Sequence, residues 1–317
     1  MLRISYESED FPGAVVSSGT SELSVTWDDI LWAAVTVGRP NRQYVFRHGA
    51  ASGYEAIFRW SLVRTALEQR ARVRSRLWRT TASKTLDPTE KGAISYFLGM
   101  TFCKLFAAKL LNTHWLLHLD VFRPALNPVL SGRSRPDLLG FNHGTSRWYA
   151  FECKGRISPP GASDKQNAKA QALRLVAVNR TPCALHIGAV TYFHDDVLNF
   201  YWRDPAPDPD HEIDVVYRSD DWRHYYAPVL EAFRSSEAVR QDLETETRVS
   251  LDSADLQIGM HPIVAKYLYE EQWEHARKAA IEAADEIAHG GYQPDGLKVR
   301  AGRSWRQRFL ETALGGA

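Results

Sequence analysis

The stretch RPDLLGFNHGTSRWYAFECKGR, residues 135–156, consists of two short apolar runs joined by a polar turn. The runs 137–142 and 147–154 have the length and the aliphatic and aromatic content of β-strands. His143–Ser146 between them contains a glycine and suits a four-residue hairpin loop. The sequence therefore predicts an antiparallel hairpin with two acids and a lysine at its open end.

In a hairpin centred on Gly144–Thr145, Asp137 lies directly opposite Glu152. Directly opposed residues have Cβ atoms roughly 5 Å apart, and Lys154 lies roughly 7 Å further along the same strand face as Glu152. Two carboxylates this close repel each other unless a cation lies between them or one is protonated. Oxygen ligands at this spacing suit Mg²⁺ or Mn²⁺. The same register pairs Leu139 with Ala150 and Phe141 with Trp148.

Helices and further strands are predicted on both sides of the hairpin. Asp87–Pro88–Thr89–Glu90 has the pattern of a capped helix start, with Pro at the first helical position and Glu at the third. Ser163–Gln166 reads as a second capping box. The predicted order is a helix over 87–111, strands over 115–122, 137–142 and 147–154, a helix over 163–178, and strands over 184–193 and 197–202.

Pro136–Asp137 and Glu152–Cys153–Lys154, in this order of elements, resemble the PD-(D/E)XK, or restriction-endonuclease-like, nuclease superfamily. The resemblance covers roughly residues 87–204. It implies an α/β fold with an αβββαβ core, in which a mixed central sheet lies between helices, with helical N- and C-terminal extensions. It also implies metal-dependent hydrolysis of phosphodiester bonds.

The same resemblance assigns roles to single residues. Asp137 and Glu152 would bind the metal, Mg²⁺ or Mn²⁺, and the backbone carbonyl of Cys153 would be a further ligand. Lys154 would position or activate the attacking water. Many members add a glutamate from the first core helix, for which Glu90 is the matching catalytic candidate, although its place in a capping box would explain it equally well.

A purely structural interpretation of the hairpin stays open. In that interpretation Glu152 and Lys154 form an ion pair on a solvent-exposed strand. The apolar neighbours Ala150 and Phe151 favour catalysis instead, because they bury the strand and ionisable groups are seldom buried without a reason.

Candidate nucleic-acid contacts lie on both sides of the motif. On the following helix they are Lys165, Gln166 and Lys169, for which capping or simple solvation is the alternative. An Arg-rich segment before the core would contact phosphates and make binding depend on salt, unless it is a solvated face or pairs with the acidic segment 204–221. Its candidate residues are Arg70, Arg72, Arg74 and Arg76.

Composition narrows the class of protein. A 44% hydrophobic and 24% charged chain is ordinary for a globular protein, and a net charge of +1 leaves nucleic-acid binding to local patches. Three cysteines without paired spacing argue against a disulfide framework. Because the N-terminus lacks an apolar signal segment and the apolar runs are short, we expect a cytoplasmic protein without membrane contact.

The chain divides into three predicted regions. Residues 1–86 are expected to be mostly helical, 87–204 to form the nuclease core, and 205–317 to hold a linker and a helical C-terminal region. Residues 204–221 are rich in Pro and Asp, which suits a linker.

The functional hypothesis is a nuclease acting on nucleic acid, with DNA ahead of RNA by analogy with the family, in antiviral defence or DNA maintenance. A homodimer and a protein partner in a multi-subunit system stay open. The alternatives are a non-catalytic nucleic-acid- or protein-binding subunit that kept the fold, and a structural or regulatory subunit that acts through its terminal helices.

Overall fold

The 317-residue chain has a mixed α/β fold. Its computed structural model describes residues 1–39, 51–70, 73–125, 135–234, 240–242 and 246–307. Two of the predicted contact residues fall outside this description. Arg72 is not described at all, and Lys169 is described only as part of a helix backbone.

The strands and helices of the described residues are numbered in chain order. The strands are β1 Leu2–Glu9, β2 Gly19–Val25, β3 Leu67–Arg70, β4 Val73–Arg79, β5 Leu116–His118, β6 Leu138–Asn142, β7 Arg147–Gly155, β8 Arg174–Val178, β9 Thr181–Pro182, β10 Leu185–His194, β11 Val197–Arg203, β12 Asp208–Val215, β13 Arg240–Asp242, β14 Glu246–Leu251, β15 Leu256–Met260 and β16 Leu297–Ala301. The helices are α1 Trp27–Thr36, α2 Ala51–Ala66, α3 Thr81–Thr85, α4 Pro88–Leu110, α5 Ala162–Ala172, α6 Arg223–Arg234, α7 Pro262–Tyr269, α8 Trp273–Glu282 and α9 Ala284–His289.

A large mixed sheet runs through the described part of the chain. Its order is β2-β1-β11-β10-β7-β6-β5, and the β3–β4 hairpin joins it where β4 pairs with β11. The strands β5, β6 and β7 form an antiparallel meander, β10 runs parallel to β7, and β11 runs antiparallel to β10. The predicted order of helix, three strands, helix and strands is therefore confirmed for the central region, but the predicted strand 115–122 is reduced to β5, and a 3-10 helix follows it over Leu119–Ala125.

The central hairpin has the predicted register. Leu139 pairs with Ala150 and Phe141 with Trp148, and the four residues between the strands form a turn. The loop is stabilised locally, since the Thr145 N–H donates to the side-chain oxygen of Asn142 at 2.9 Å. This register places the acids of the hairpin at its open end.

The second core helix differs from its prediction at both ends. Helix α5 begins at Ala162 and is capped at Gly161, whose N–H donates to the Asp164 carboxylate at 2.9 Å. It ends at Ala172, and the residues predicted to continue it form β8, which runs parallel to β12. The expected linker 204–221 thus contributes a strand instead of a free connection, because its Ile213 and Val215 are buried against β8.

The terminal regions contain strands that their sequences did not reveal. The N-terminal β1 pairs with β11 and β2 pairs with β1, so that the expected mostly helical region also extends the sheet. The C-terminal region contains the antiparallel sheet β13-β14-β15-β16 beside its helices. Both regions share one buried hydrophobic cluster with the centre, and the prediction of helical extensions is wrong for these segments.

Helix α4 is the long apolar helix of the fold. By length and composition it would suffice to cross a membrane, but 78% of its most apolar stretch is buried inside the protein. Burial of that kind is typical of the core helix of a soluble protein.

Two glycines allow α4 to lie directly on the end of β7. A Cβ atom on Gly155 would lie 1.6 Å from the backbone oxygen of Ser95, and one on Gly99 would lie 2.7 Å from the carbonyl carbon of Lys154. Neither approach tolerates a side chain. The backbone of α4 therefore touches the strand end that holds the motif.

Gly155→Ala is expected to destabilise the protein by about 1–3 kcal/mol or more, because the clash is with backbone that cannot rotate away. Gly92→Ala is the matched control on α4, since a Cβ there meets nothing within 4 Å. That change should stabilise the helix by up to about 1 kcal/mol. Urea denaturation of both variants measures the difference, and equal effects would contradict the close approach.

Candidate active site

Three hydrogen bonds fix Asp137 in place, and two of them are to β7. Its N–H donates to the Phe151 carbonyl at 2.8 Å, and its carbonyl accepts from the Leu119 N–H at 2.7 Å. Its carboxylate Oδ2 accepts from the Cys153 N–H at 2.9 Å. Asp137 is thus bonded to both residues that flank Glu152, to Phe151 through its backbone N–H and to Cys153 through its carboxylate.

Glu152 is almost completely buried, with 1% of its surface exposed. Its Oε1 lies 2.5 Å from Nζ of Lys154, whose side chain is 38% exposed. Its Oε2 is buried and has no hydrogen-bond partner among the described residues. An unpaired buried carboxylate oxygen is costly, and such an atom calls for a ligand, an ion or a proton.

Burial is the largest effect on the pKa of both carboxyl groups. Desolvation raises the pKa of Asp137 to about 6. The hydrogen bond from the Cys153 N–H and the charge of Lys154 lower this pKa, but their effect is smaller than that of desolvation. Desolvation, with the added charge of Asp137, raises the pKa of Glu152 to about 8. The short contact to Lys154 favours an ionised Glu152, but the lysine is partly hydrated and its attraction is the weaker effect. The pair therefore retains a proton near neutral pH.

The donor set of this pair suits one kind of cation. No group of three or more His, Cys, Asp or Glu side chains is arranged to hold a metal ion in the described residues. Mg²⁺ is nevertheless bound in proteins by one or two carboxylates together with water and substrate phosphates. Asp137 and the unpaired oxygen of Glu152 fit that requirement, and a cation there would take the place of the proton that burial retains on the pair.

The side chain of Cys153 points away from this pair. It contacts Cys103 of α4 and is fully buried. Because side chains alternate along a strand, Glu152 and Lys154 lie on the opposite face of β7.

A cavity of about 580 Å³ opens beside Asp137, between the first turns of α4 and the end of β7. The lining residues are Pro88, Lys91, Gly92, Ser95, Tyr96, Asp137, Cys153, Lys154, Gly155, Arg156, Ile157 and Ser158. The α4 residues of this lining, and those after the motif, were not predicted from the sequence as part of a site. The only sequence signal for them was their nearness to Asp87–Glu90 and to Lys154, because packing alone brings the two segments together.

Glu90 occupies its capping position. Its Oε2 accepts the Asp87 N–H at 3.2 Å, while the Asp87 carboxylate accepts the Glu90 N–H at 3.2 Å. The residue is exposed and is not one of the described residues that line the cavity. The cap accounts for Glu90, and its catalytic role stays a prediction.

The candidate contacts on α5 are placed differently from one another. Lys165 is bound within the protein: its Nζ lies 3.0 Å from Glu7 and 4.0 Å from the centre of the Tyr201 ring. Gln166 is exposed. The side chain of Lys169 lies outside the described residues.

Arg70, Arg74 and Arg76 belong to the β3–β4 hairpin, and two of these three have partners in the protein. Arg70 contacts Glu68 at 3.2 Å and stacks over Trp78. Arg76 forms an ion pair with Glu22 and donates to the Ser5 hydroxyl at 3.0 Å.

Arg74 is the exception, since it is exposed and has no acidic partner among the described residues. Arg72 is not described. Neither of the two ion pairs uses the acidic segment 204–221. The Arg-rich hairpin is therefore a weaker candidate for phosphate binding than its sequence suggested.

No protein-family model, curated protein or solved structure matches this chain. The geometry of the site is therefore what indicates the function. Three features of that geometry matter most: the fixed position of Asp137, the unpaired oxygen of Glu152, and the amine of Lys154 beside it.

In the absence of metal, the protein should lose stability as the pH rises from about 5 to about 8. The ordinary pKa of a glutamate is 4.5 and burial raises that of Glu152 to about 8. In that interval the folded protein retains a proton that the unfolded chain has released. The stabilising effect is full below pH 4.5 and disappears as the pH passes the folded value.

Glu152→Gln should flatten this dependence, by at most about 1.4 kcal/mol per pH unit. Urea midpoints measured in chelator over this pH range test it. Glu282→Gln, on the exposed surface of α8, is the control and should retain the wild-type profile. A Glu152→Gln profile as steep as the wild type would show that Glu152 is ionised throughout.

Proposed function

We propose that this protein is a metal-dependent nuclease that hydrolyses phosphodiester bonds with Mg²⁺ or Mn²⁺. The observation that carries the proposal is the pair of carboxyl groups at the end of the hairpin. Asp137 is held across Glu152, whose second oxygen has no partner among the described residues, and Lys154 lies 2.5 Å from the first oxygen.

The topology supports a restriction-endonuclease-like core. Helix α4 is followed by the meander β5-β6-β7, helix α5 and the strand β10, which runs parallel to β7. With β8 and β9 between α5 and β10, this order is compatible with the αβββαβ core that the motif implied. The two motif elements lie at adjoining ends of the neighbouring strands β6 and β7. A short motif gains weight from such a setting, because chance matches seldom have it.

Each residue of the site has a distinct task in this mechanism. Asp137 and Glu152 would hold the cation, with the Cys153 carbonyl as the further ligand that the resemblance implies. A divalent cation there supplies positive charge against the phosphate and increases the acidity of water. Lys154 would orient the attacking water and stabilise the negative charge that develops on the phosphate. Burial of the pair strengthens each of these electrostatic effects.

DNA is the substrate we propose, by analogy with the family that the motif resembles. A place in antiviral defence or DNA maintenance, with or without a protein partner, rests on the same analogy. The cytoplasm is the compartment that fits three free, buried cysteines.

Asp137→Ala and Glu152→Ala should each reduce DNA cleavage roughly 100-fold or more, and should weaken Mn²⁺ binding at least roughly tenfold, because each removes a carboxylate ligand. Lys154→Ala should reduce cleavage to a similar degree. Its Mn²⁺ affinity should be unchanged or higher, because a nearby positive charge is gone. Calorimetric titration with Mn²⁺ and a plasmid-cleavage gel measure the two effects.

Lys278→Ala is the matched lysine control, since that side chain is 58% exposed on α8, and it should behave as the wild type. If all three site variants bind Mn²⁺ and cleave like the wild type, the hairpin is structural. If none of the proteins cleaves but the metal affinities differ as expected, the non-catalytic binding subunit is favoured instead.

Glu90→Gln should leave both cleavage and stability unchanged, because glutamine also accepts the N-cap N–H and serves in a capping box. Glu90→Ala removes this acceptor and should lower the stability by about 0.5–1.5 kcal/mol, the net contribution of one hydrogen bond. Thermal unfolding and the same plasmid assay measure both variants. A large loss of cleavage in Glu90→Gln at unchanged stability would assign Glu90 to the metal.

A further inference from the structure

The cavity beside Asp137 has one apolar wall. Tyr96 is 49% exposed and Ile157 is 47% exposed, although both are large apolar side chains, and they line the same cavity from α4 and from the segment after β7. A volume of about 580 Å³ lies in the usual range of small-ligand sites. Exposed apolar groups that share a concave site indicate a ligand surface.

On the α4 side of the cavity, the sequence leaves space beside Tyr96. Pro88, Gly92 and Tyr96 are four residues apart along α4 and therefore lie along one face of the helix. Gly92 has no side chain, and a Cβ atom there would meet nothing within 4 Å. A flat group can therefore approach the helix and reach the Tyr96 ring.

Cations outnumber acids around the cavity. Lys91, Lys154 and Arg156 line it, and Asp137 is the one acid among the described residues that line it. Lys154 is also paired with Glu152, which is not one of those lining residues. Lys91 has no acidic partner within the described ranges. Arg156 binds Asp164 through NH1 at 2.6 Å, while its buried Nε has no partner among the described residues. The cavity thus suits a ligand that is anionic at one end and flat and apolar at the other.

A nucleotide has both properties. We infer that this cavity binds one unstacked base of a DNA strand next to the scissile phosphate, with Tyr96 as the stacking surface and Lys91 and Arg156 on the flanking phosphate. The inference rests on the proposed nuclease function and specifies its substrate. Removing a base from a continuous duplex costs a few kcal/mol. The preferred substrate is therefore single-stranded or locally unpaired DNA.

The test measures binding of a fluorescent oligothymidylate of about twelve nucleotides, by anisotropy, in Ca²⁺ and again in chelator. Tyr96→Ala should weaken binding roughly 5- to 100-fold, which is the effect of losing about one base–aromatic stack. Tyr96→Phe should bind within roughly twofold of the wild type, because it retains the ring. Tyr54→Ala removes a 74% exposed tyrosine outside the cavity and should have no effect.

Two further probes identify what the ring contacts. A backbone of the same length without bases should bind the wild type and Tyr96→Ala equally, and so should a continuous duplex. The dependence of binding on salt should stay the same in Tyr96→Ala and become shallower in Lys91→Gln, since only the lysine neutralises a phosphate.

The outcomes separate this inference from the proposed function. If Tyr96→Ala binds oligothymidylate like the wild type, or if the backbone without bases binds as tightly as the complete oligonucleotide, the base site is overturned whether or not the protein cleaves. If the losses appear as expected in a protein that cleaves no DNA, the base site stands and the nuclease proposal fails. Failure of the wild type to bind oligothymidylate at all also overturns the base site.

Discussion

The candidate site depends on the hydrogen bonds by which β7 fixes the position of Asp137. Hydrogen bonds to Phe151 and Cys153 keep this carboxylate across Glu152, although two buried acids at that spacing repel each other. The repulsion raises the pKa of Glu152 beyond the effect of burial alone. A site built in this way is destabilised when it is empty and fully ionised. It gains stability from a proton or from a cation, and this property links its chemistry to its fold.

The close packing of α4 against the end of β7 determines which residues surround the site. At Gly99 and Gly155 the helix backbone lies on the strand end, so that Tyr96 is brought beside Asp137. A side chain at either glycine would push the helix outward and open the cavity. The glycines, the carboxylates and the exposed tyrosine thus form one arrangement, in which close packing of backbone positions the groups that face a substrate.

The terminal regions are tied to this centre by buried polar contacts. Asp295, near the C-terminus, accepts hydrogen bonds from Trp32 at 2.8 Å and from Tyr225 at 2.6 Å. Tyr225 in turn accepts from Lys104 of α4 at 3.0 Å, and this lysine is completely buried. Burial lowers the pKa of Lys104 to about 7. Removing one member of such a network leaves the others unpaired. The network therefore connects described parts of both terminal regions to α4 of the central region.

The sequence by itself determined the elements that depend on near neighbours. The capping box at Asp87, the hairpin around Gly144 and the alternation that sets its register depend on near neighbours, so the sequence alone predicts each of them. The strand β1 could not be predicted in this way, because its partner β11 lies far away along the chain. The polar alternation of β1 indicates a strand only when that partner is known. The same holds for β8. Its sequence is compatible with a helix, and its pairing with β12 makes it a strand. Only the tertiary structure decided which oxygen of Glu152 lacks a partner and that Tyr96 faces the site, because burial and unpaired atoms are properties of the packed chain and not of its sequence.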